Sequence, residues 1–184
     1  MKSDILIAVR LTVVCVVFFC IIYPLFILGI AQLTPDKGMG ATVTKNNKTW
    51  FSNIGQNFAA DKYFSSRPSA VSYNAAGSGA SNKGPSNPEY LAQVQARIDT
   101  FLVHNPGVNK SEIPAELVTS SGSGLDPDLS VYGASVQIKR IAKARNIPET
   151  VVQEAILKNT EKPFLNLFGP EKVNVLRLNL ELEK

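Results

Sequence analysis

The apolar positions are concentrated in one run near the start of the chain. Residues 11–35 form a stretch of 25 positions without Asp, Glu, Lys or Arg. Within it, residues 11–33 are apolar on every face of a helix, whereas a helix that covers a soluble core keeps a polar stripe. At 1.5 Å per residue these positions reach about 34 Å, close to the thickness of the hydrocarbon layer of a bilayer. The pattern predicts a transmembrane helix over 11–33, with Pro24 as the point where it kinks.

A cleaved secretory signal is the competing interpretation of the same run. Lys2 and Arg10 supply a basic start, and Gly29-Ile30-Ala31 has the small residues that a signal peptidase prefers. The apolar run is longer than the usual signal core, which favours a retained helix. Lysines also follow the run, so the positive-inside count does not fix its direction. We expect residues 1–10 to form a cytoplasmic tail and the remainder to lie outside.

Beyond the run the pattern turns polar and then mixed. Residues 34–48 indicate a tether, and residues 49–184 one compact domain. Between positions 65 and 88, 16 of 24 residues are Ser, Gly, Asn or Pro. That composition is typical of a flexible linker, but turn-forming pairs such as Arg67-Pro68 and Asn87-Pro88 also suit an ordered loop. Both interpretations stay open at this point.

Periodic segments follow this polar stretch. Asn87 is placed to cap a helix from Pro88 to about Asn105, and further helices are expected over 131–145 and 149–159, separated by Asn146-Ile147-Pro148. Leucines at 176, 178, 180 and 182 alternate with polar residues, which predicts a half-buried strand. Helices with a little sheet in irregular order indicate an α+β domain.

Composition narrows the classes of function. The chain has 184 residues and a net charge of +4, and 17 of its 19 basic and 14 of its 15 acidic residues lie after the apolar run. That near balance disfavours a protein that coats nucleic acid. Cys15 and Cys20 both fall inside the predicted span, so the domain has no disulfide and no thiolate ligand.

The sequence motifs of the common enzyme classes are each incomplete in this chain. The spacing of Gly79 and Gly84 is that of a phosphate-binding loop, but Pro85 stands where that loop needs Lys. The only histidine, His104, falls at a helix end and has no nucleophile motif near it in sequence. Asp126 and Asp128 fit a loop turn before a helix better than a metal site. We expect no catalytic and no metal-binding residues in this chain.

A membrane-tethered DNA-binding regulator is the alternative from another class. Residues 137–156 have the helix, tight turn and second helix of a helix-turn-helix reader. The basic residues lie on the first helix, however, and the helix in the position of a recognition helix carries Glu149 and Glu154, which would repel phosphates. A helical hairpin that packs through Ile138, Ile141, Val151, Val152, Ala155 and Ile156 explains the pattern without DNA.

A series of short sequence blocks, taken in order and spacing, runs through nearly the whole chain. The apolar run contains Tyr23-Pro24-Leu25. The remaining blocks are Ile54-Gly-Gln-Asn-Phe58, Tyr63-Phe64, Arg67-Pro-Ser-Ala70, Tyr73-Asn74, Ser78-Gly-Ala-Ser-Asn82, Pro85-Ser-Asn-Pro88, Leu117-Val-Thr119, Ser121-Gly-Ser-Gly-Leu-Asp126, Gln137, Arg140-Ile-Ala-Lys-Ala-Arg145 and Val173-Asn-Val-Leu-Arg-Leu-Asn179. No block is diagnostic alone, but the series is specific, and it resembles the C subunit of the Kdp potassium-transporting ATPase.

The resemblance implies an accessory subunit of a bacterial inner-membrane pump. Its partners would be a channel-like subunit that binds K⁺, a P-type ATPase subunit that hydrolyses ATP, and a small single-span subunit. The implied domain lies on the outer face near the K⁺ entrance, assists assembly and stabilises the complex. The family is also described as a catalytic chaperone that raises the ATP affinity of the hydrolysing subunit, a role tied to a glutamine that here would be Gln137. Many relatives have His or Asn in place of Asp128, so no role transfers to that position.

If the resemblance holds, the polar loops would fold onto a partner and the helix would dock beside partner spans. ATP and K⁺ would then belong to the complex, with neither bound firmly by this chain. The interface residues predicted on this basis are Tyr23, Pro24, Gln56, Arg67, Ser69, Asn74, Ser81, Asn82, Ser86, Asn87 and Asp126.

Overall fold

A computed structural model describes residues 2–183 of the chain, which divides into two compact units after Thr42. The first unit is dominated by one helix, and the second contains the mixed helices and strands. Each unit is described by itself below. The mixed content of the second unit confirms the α+β class.

The first unit is a long apolar helix with a local widening in its middle. Helix α1 (Lys2–Val16) continues through a π-helical turn (Val17–Ile22) into α2 (Tyr23–Ala31). Pro24 lacks a backbone N–H, and in the turn before it the Tyr23 N–H bonds to the Phe18 carbonyl, five residues back. Among the described residues, Ser3–Ala31 is the one helix apolar and long enough to span a membrane, and none of it is buried.

A β-hairpin begins at the boundary residue Thr42 and forms the start of the second unit. Strands β1 (Thr42–Lys45) and β2 (Lys48–Phe51) pair across a tight turn in which Asn46 and Asn47 have φ of 51° and 58°. Asparagine tolerates this left-handed conformation, and two such residues suit a two-residue hairpin. The segment predicted as a tether, 34–48, therefore contains a strand and the start of a second one.

A long irregular segment, residues 52–87, follows the hairpin and contains no helix or strand. We call it the clamped segment. Helix α3 (Pro88–His104) then begins where the sequence predicts, because Asn87 Oδ1 accepts a hydrogen bond of 3.0 Å from the N–H of Tyr90. Two short 3₁₀ helices, Lys110–Glu112 and Ala115–Leu117, lead toward the second polar loop, residues 119–130.

The prediction of one helix over 131–145 is wrong. Helix α4 (Val131–Ser135) ends and α5 (Ile138–Arg145) begins around Gln137, whose N–H bonds to Ala134 O at 3.1 Å in a tightened turn. The Gln137 side chain folds back onto the carbonyl of Gly133. Helix α6 (Glu149–Lys158) confirms the third predicted helix, and Asn146 closes α5 with φ of 54°.

The predicted strand of alternating leucines is also wrong, because these residues form helix α7 (Val175–Glu181). Asn174 Oδ1 caps it by accepting the N–H of Arg177 at 3.1 Å. Leu176, Leu178, Asn179 and Leu180 are all buried, which a half-buried strand would not allow. The helix is thus packed on several sides, and this burial outweighs the preference for a strand that the alternating pattern indicates.

A small antiparallel sheet and the helices enclose the core. Strand β5 (Lys172–Asn174) lies between β3 (Asp128–Leu129) and β4 (Thr160–Glu161), with Leu129 and Thr160 both opposite Val173. The core of the hairpin helices is confirmed for Ile141, Val152, Ala155 and Ile156, and Ile138 packs at its edge. Val151, in contrast, is exposed.

Candidate partner interface

Three buried amide side chains face the clamped segment from the helical part of the domain. Gln137, Asn174 and Asn179 are each exposed by 6% or less, which is unusual for amides. Each of the three side chains forms a hydrogen bond with a backbone group of the clamped segment. A buried amide is stabilising only when its polar atoms are paired. These pairs therefore order an irregular segment that has no ladder of its own.

Asn179 makes the most complete contact of the three. Its Oδ1 accepts the N–H of Phe64 at 2.7 Å, and its Nδ2 donates to the carbonyl of the same residue at 2.9 Å. Phe64 itself is fully buried in the core. Asn174 similarly donates from Nδ2 to the Ser52 carbonyl at 2.7 Å. Helix α7 and its cap thus fix two points of the clamped segment.

Gln137 is held on both sides of its amide. Its Oε1 accepts the N–H of Ser65 at 2.9 Å and Nη2 of Arg140 at 2.8 Å, while Nε2 donates to the Gly133 carbonyl at 3.0 Å. The side chain is fully buried. The break between α4 and α5 places this amide against the clamped segment.

Two arginines of α5 bind carbonyls of the same segment. Arg140 donates from Nη1 to the carbonyls of Asp61 and Tyr63, at 2.6 and 3.0 Å, and from Nε to the Asn105 side chain. Burial lowers the pKa of Arg140 below its usual range, and the nearby Asp61 carboxylate opposes that shift. Arg145 donates from Nε to the Lys62 carbonyl at 2.7 Å. Donor groups of α5 therefore line residues 61–65.

The second polar loop contacts the clamped segment at several points along its length. Arg67 Nη1 and Asp126 Oδ2 form an ion pair at 2.7 Å, and the backbone of Gly79 bonds to that of Ser123 at 2.8 Å. A Cβ added to Gly124 would lie 2.7 Å from the Gly79 carbonyl oxygen, and one added to Gly55 would clash with the Asp126 carbonyl oxygen. The two loops approach too closely there for any side chain.

The predicted interface residues fall into two groups. One group supports the fold: Ser69 accepts the N–H of Tyr73, Asn87 caps α3, Arg67 pairs with Asp126, and the Gln56 carbonyl accepts the hydroxyl of Ser66. The other group is open to solvent or half-buried, and it consists of Tyr23, Pro24, Asn74, Ser81, Asn82 and Ser86. In the second unit these open residues lie on the clamped segment.

The surroundings of Gln137 do not fit a nucleotide. Its amide atoms are all engaged within the domain and its side chain has no exposed surface. The neighbouring cation, Arg140, is committed to backbone carbonyls. Gln137 thus has no free amide atom to offer a nucleotide. Across residues 2–183 no group of three His, Cys, Asp or Glu side chains is placed to hold a metal ion.

Sequence reasoning missed Asn174 and Asn179 as organising residues. Both lie in the block 173–179, where the leucine alternation dominates the pattern. The available signal was Asn179, which lies three and four residues after Leu176 and Val175 and therefore shares their face if the segment is helical. The partner of that amide is Phe64, which is distant in sequence.

The two units define a class of protein: a mixed α+β domain, with an ordered polar loop surface, on a chain with one candidate membrane span. A sequence model described as "KdpC: K+-transporting ATPase, c chain" matches residues 5–184. The chain belongs to this family and is a subunit of the K⁺-transporting ATPase.

Named relatives are similar to this chain over nearly all of its length. The chain is 52% identical to the potassium-transporting ATPase KdpC subunit of Flavobacterium psychrophilum over 176 residues, which cover 95% of each protein. It is 48% identical to that of Bacteroides fragilis over 181 residues, covering 96% of this chain and 95% of the relative. For Caldanaerobacter subterraneus the identity is 45% over 184 residues, covering 99% and 95%. The resemblance is thereby confirmed, and the DNA-binding alternative has no support.

Proposed function

We propose that this subunit assists assembly of the K⁺-transporting ATPase and stabilises the complex through the exposed polar surface of the clamped segment. The partners would be a K⁺-binding channel-like subunit, a P-type ATPase subunit and a small single-span subunit. The apolar helix packs beside partner spans in the inner membrane. The amino-terminal end is cytoplasmic and the domain is extracytoplasmic, where it caps or supports the entrance for K⁺.

The observation that carries this proposal is the ordering of residues 52–87. A segment of this length without helix or strand is uncommon in a compact domain and is usually functional. Here buried amides and arginines hold its backbone, while Asn74 and Asn82 stay exposed. Ser72, Tyr73 and Asn82 have φ between 52° and 57°, a conformation that surrounding contacts must maintain. Such pre-organisation reduces the ordering cost when a partner binds.

The test is a pair of changes at Asn82. Asn82→Gly removes the side chain but keeps the positive φ accessible, and Asn82→Arg adds bulk and charge to the same surface. We expect both variants to copurify with less partner protein than the wild type, and the arginine variant least. Gln153→Arg, an exposed amide on α6, is the matched control and should copurify normally. Unchanged stoichiometry for both Asn82 variants would remove the clamped segment from the interface.

Any influence on ATP affinity acts, in this proposal, through the position of the clamped segment. Gln137 and Asn179 hold that segment from different elements, so Gln137→Ala and Asn179→Ala should change the ATP KM of the assembled complex in the same direction. A change with Gln137→Ala alone, at equal complex yield, would instead favour a direct role of that glutamine.

The orientation has its own test. Protease added outside intact spheroplasts should digest the domain and leave a fragment that contains the apolar helix. Full protection until the membrane is permeabilised would reverse the proposed topology.

A further inference from the structure

A short loop on the second unit exposes an unusual cluster of large apolar side chains. Phe164, Leu165, Leu167 and Phe168 are exposed by between 60% and 75%. We call residues 164–168 the apolar tip. Scattered apolar residues on a surface are normal, but a contiguous cluster indicates contact with a protein or a membrane. Neither the hydrophobic core nor the clamped segment uses these side chains.

The apolar tip is a built structure at the end of the β4–β5 hairpin. Phe164 and Phe168 exchange both backbone hydrogen bonds at 2.9 Å, and the N–H groups of Asn166 and Leu167 donate to carbonyls within the same loop. Leu165 and Asn166 have φ of 54° and 55°. Leucine rarely adopts this conformation, so the turn is held by its bonds at some conformational cost.

The base of the hairpin is fixed by ion pairs. Lys172 Nζ lies 2.7 Å from Asp128 Oδ2 and 3.6 Å from Glu161 Oε2, and Arg177 pairs with Glu161 at 3.2 Å. The hydrogen bond that the Lys172 amine donates to the Asp128 carboxylate is the main cause that raises the pKa of Lys172, which keeps this amine charged. The charged side chains lie at the base of the hairpin and the large apolar side chains lie at its tip, so the hairpin exposes an apolar end.

From this arrangement we propose that the apolar tip inserts into the interfacial layer of the lipid bilayer that holds the chain's own span. Lipid is the apolar phase to which the chain itself is tied, because only residues 32–41 connect the candidate span to β1. That linker reaches about 35 Å when fully extended. Backbone groups that are paired within the loop lower the cost of entering a layer poor in water. Phenylalanine and leucine are side chains that interfacial anchors use.

The experiment places one tryptophan at the tip of the full chain in lipid nanodiscs. In a Trp50→Phe background, Leu167→Trp is compared with Leu157→Trp, an equally apolar and exposed position on α6. The nanodiscs contain lipids brominated on the upper acyl chain, which quench nearby indoles. We expect loss of emission and a blue shift for Leu167→Trp, with little change for Leu157→Trp. Adding Phe164→Ser and Phe168→Ser to the first variant should restore the emission.

Three outcomes would overturn the proposal. Equal quenching at both positions would indicate general collapse of the domain onto lipid. Absence of quenching at both would show that the tip stays in water. In nanodiscs that hold the assembled complex, a tip that bromolipid does not quench but that is shielded from an aqueous quencher would be a protein contact. These results leave the interface test at Asn82 unaffected, so the two proposals fail separately.

Discussion

The apolar helix and the α+β domain differ in where their backbone N–H and carbonyl groups find hydrogen-bond partners. In α1 and α2 almost all polar backbone groups pair within the helix, and the side chains face outward without burial. In the domain, irregular backbone is buried, and it finds partners in amides of distant elements such as Gln137 and Asn179. The first arrangement suits a solvent without hydrogen bonds, and the second suits a loop surface that must be rigid in water.

Among the changes that test this comparison, we expect Asn179→Leu to lower the free energy of unfolding most. The change keeps a similar side-chain volume but leaves the buried N–H and carbonyl of Phe64 without partners. Each such orphaned group costs about 1–3 kcal/mol, so we expect a loss of about 4 kcal/mol. The free energy of unfolding of the full chain in detergent, followed by near-ultraviolet dichroism, measures it. Asn57→Leu, at an exposed asparagine of the same segment, should have an effect near zero.

Ile21→Arg tests whether the apolar helix is surrounded by lipid. Ile21 is exposed in the structure, as is Leu157 on the domain. If lipid surrounds the helix, an arginine near its centre should disfavour insertion by about 3 kcal/mol. Leu157→Arg in water should be nearly neutral. Resistance of each variant to alkaline carbonate extraction is the measurement, and equal extraction of both variants would contradict a spanning helix.

Arg67→Ala should have a smaller effect, because its ion pair with Asp126 is only partly buried. We expect a loss of about 1 kcal/mol in the free energy of unfolding and normal folding of the domain. Arg67→Lys should recover part of that loss. Denaturant titration of the two variants checks the order, and a collapse of the fold in Arg67→Ala would show that the pair is structurally essential.

Tyr73 gives the smallest effect and a pH dependence. Burial is the main cause that raises the pKa of Tyr73, and its hydroxyl donates to the Arg67 carbonyl at 2.8 Å. Because the folded pKa lies above the unfolded value, the stabilisation is complete below about pH 10 and is lost as pH rises through the folded pKa. Stability of Tyr73→Phe should therefore fall less steeply above that pH. Parallel slopes for both proteins would contradict a buried phenol.

Much of the architecture could be predicted because its signals are local. The apolar run needs no tertiary information, and Asn87-Pro88 marks the start of α3 by the chemistry of capping. The same holds for the turn at Asn146 between α5 and α6. Resemblance over the polar loops identified the family, although composition alone left those loops ambiguous.

The misread elements depend on contacts far along the chain. Helix α7 looked like a strand because its polar positions alternate, yet Asn179 is buried against Phe64, and only the folded domain shows that pairing. The split between α4 and α5 likewise follows from Gln137 reaching Ser65. For the same reason, the polar loops could be proposed as an interface from sequence, whereas the residues that order them could not.

Photo-crosslinking from position 82 tests the central claim most directly. A photoreactive amino acid would replace Asn82 in the intact K⁺-transporting ATPase in native membranes, with position 153 on α6 as the reference. The account predicts an adduct between position 82 and another subunit of the complex, and little or none from position 153. Adducts from position 153 alone, or a chain that yields none from either position, would contradict it.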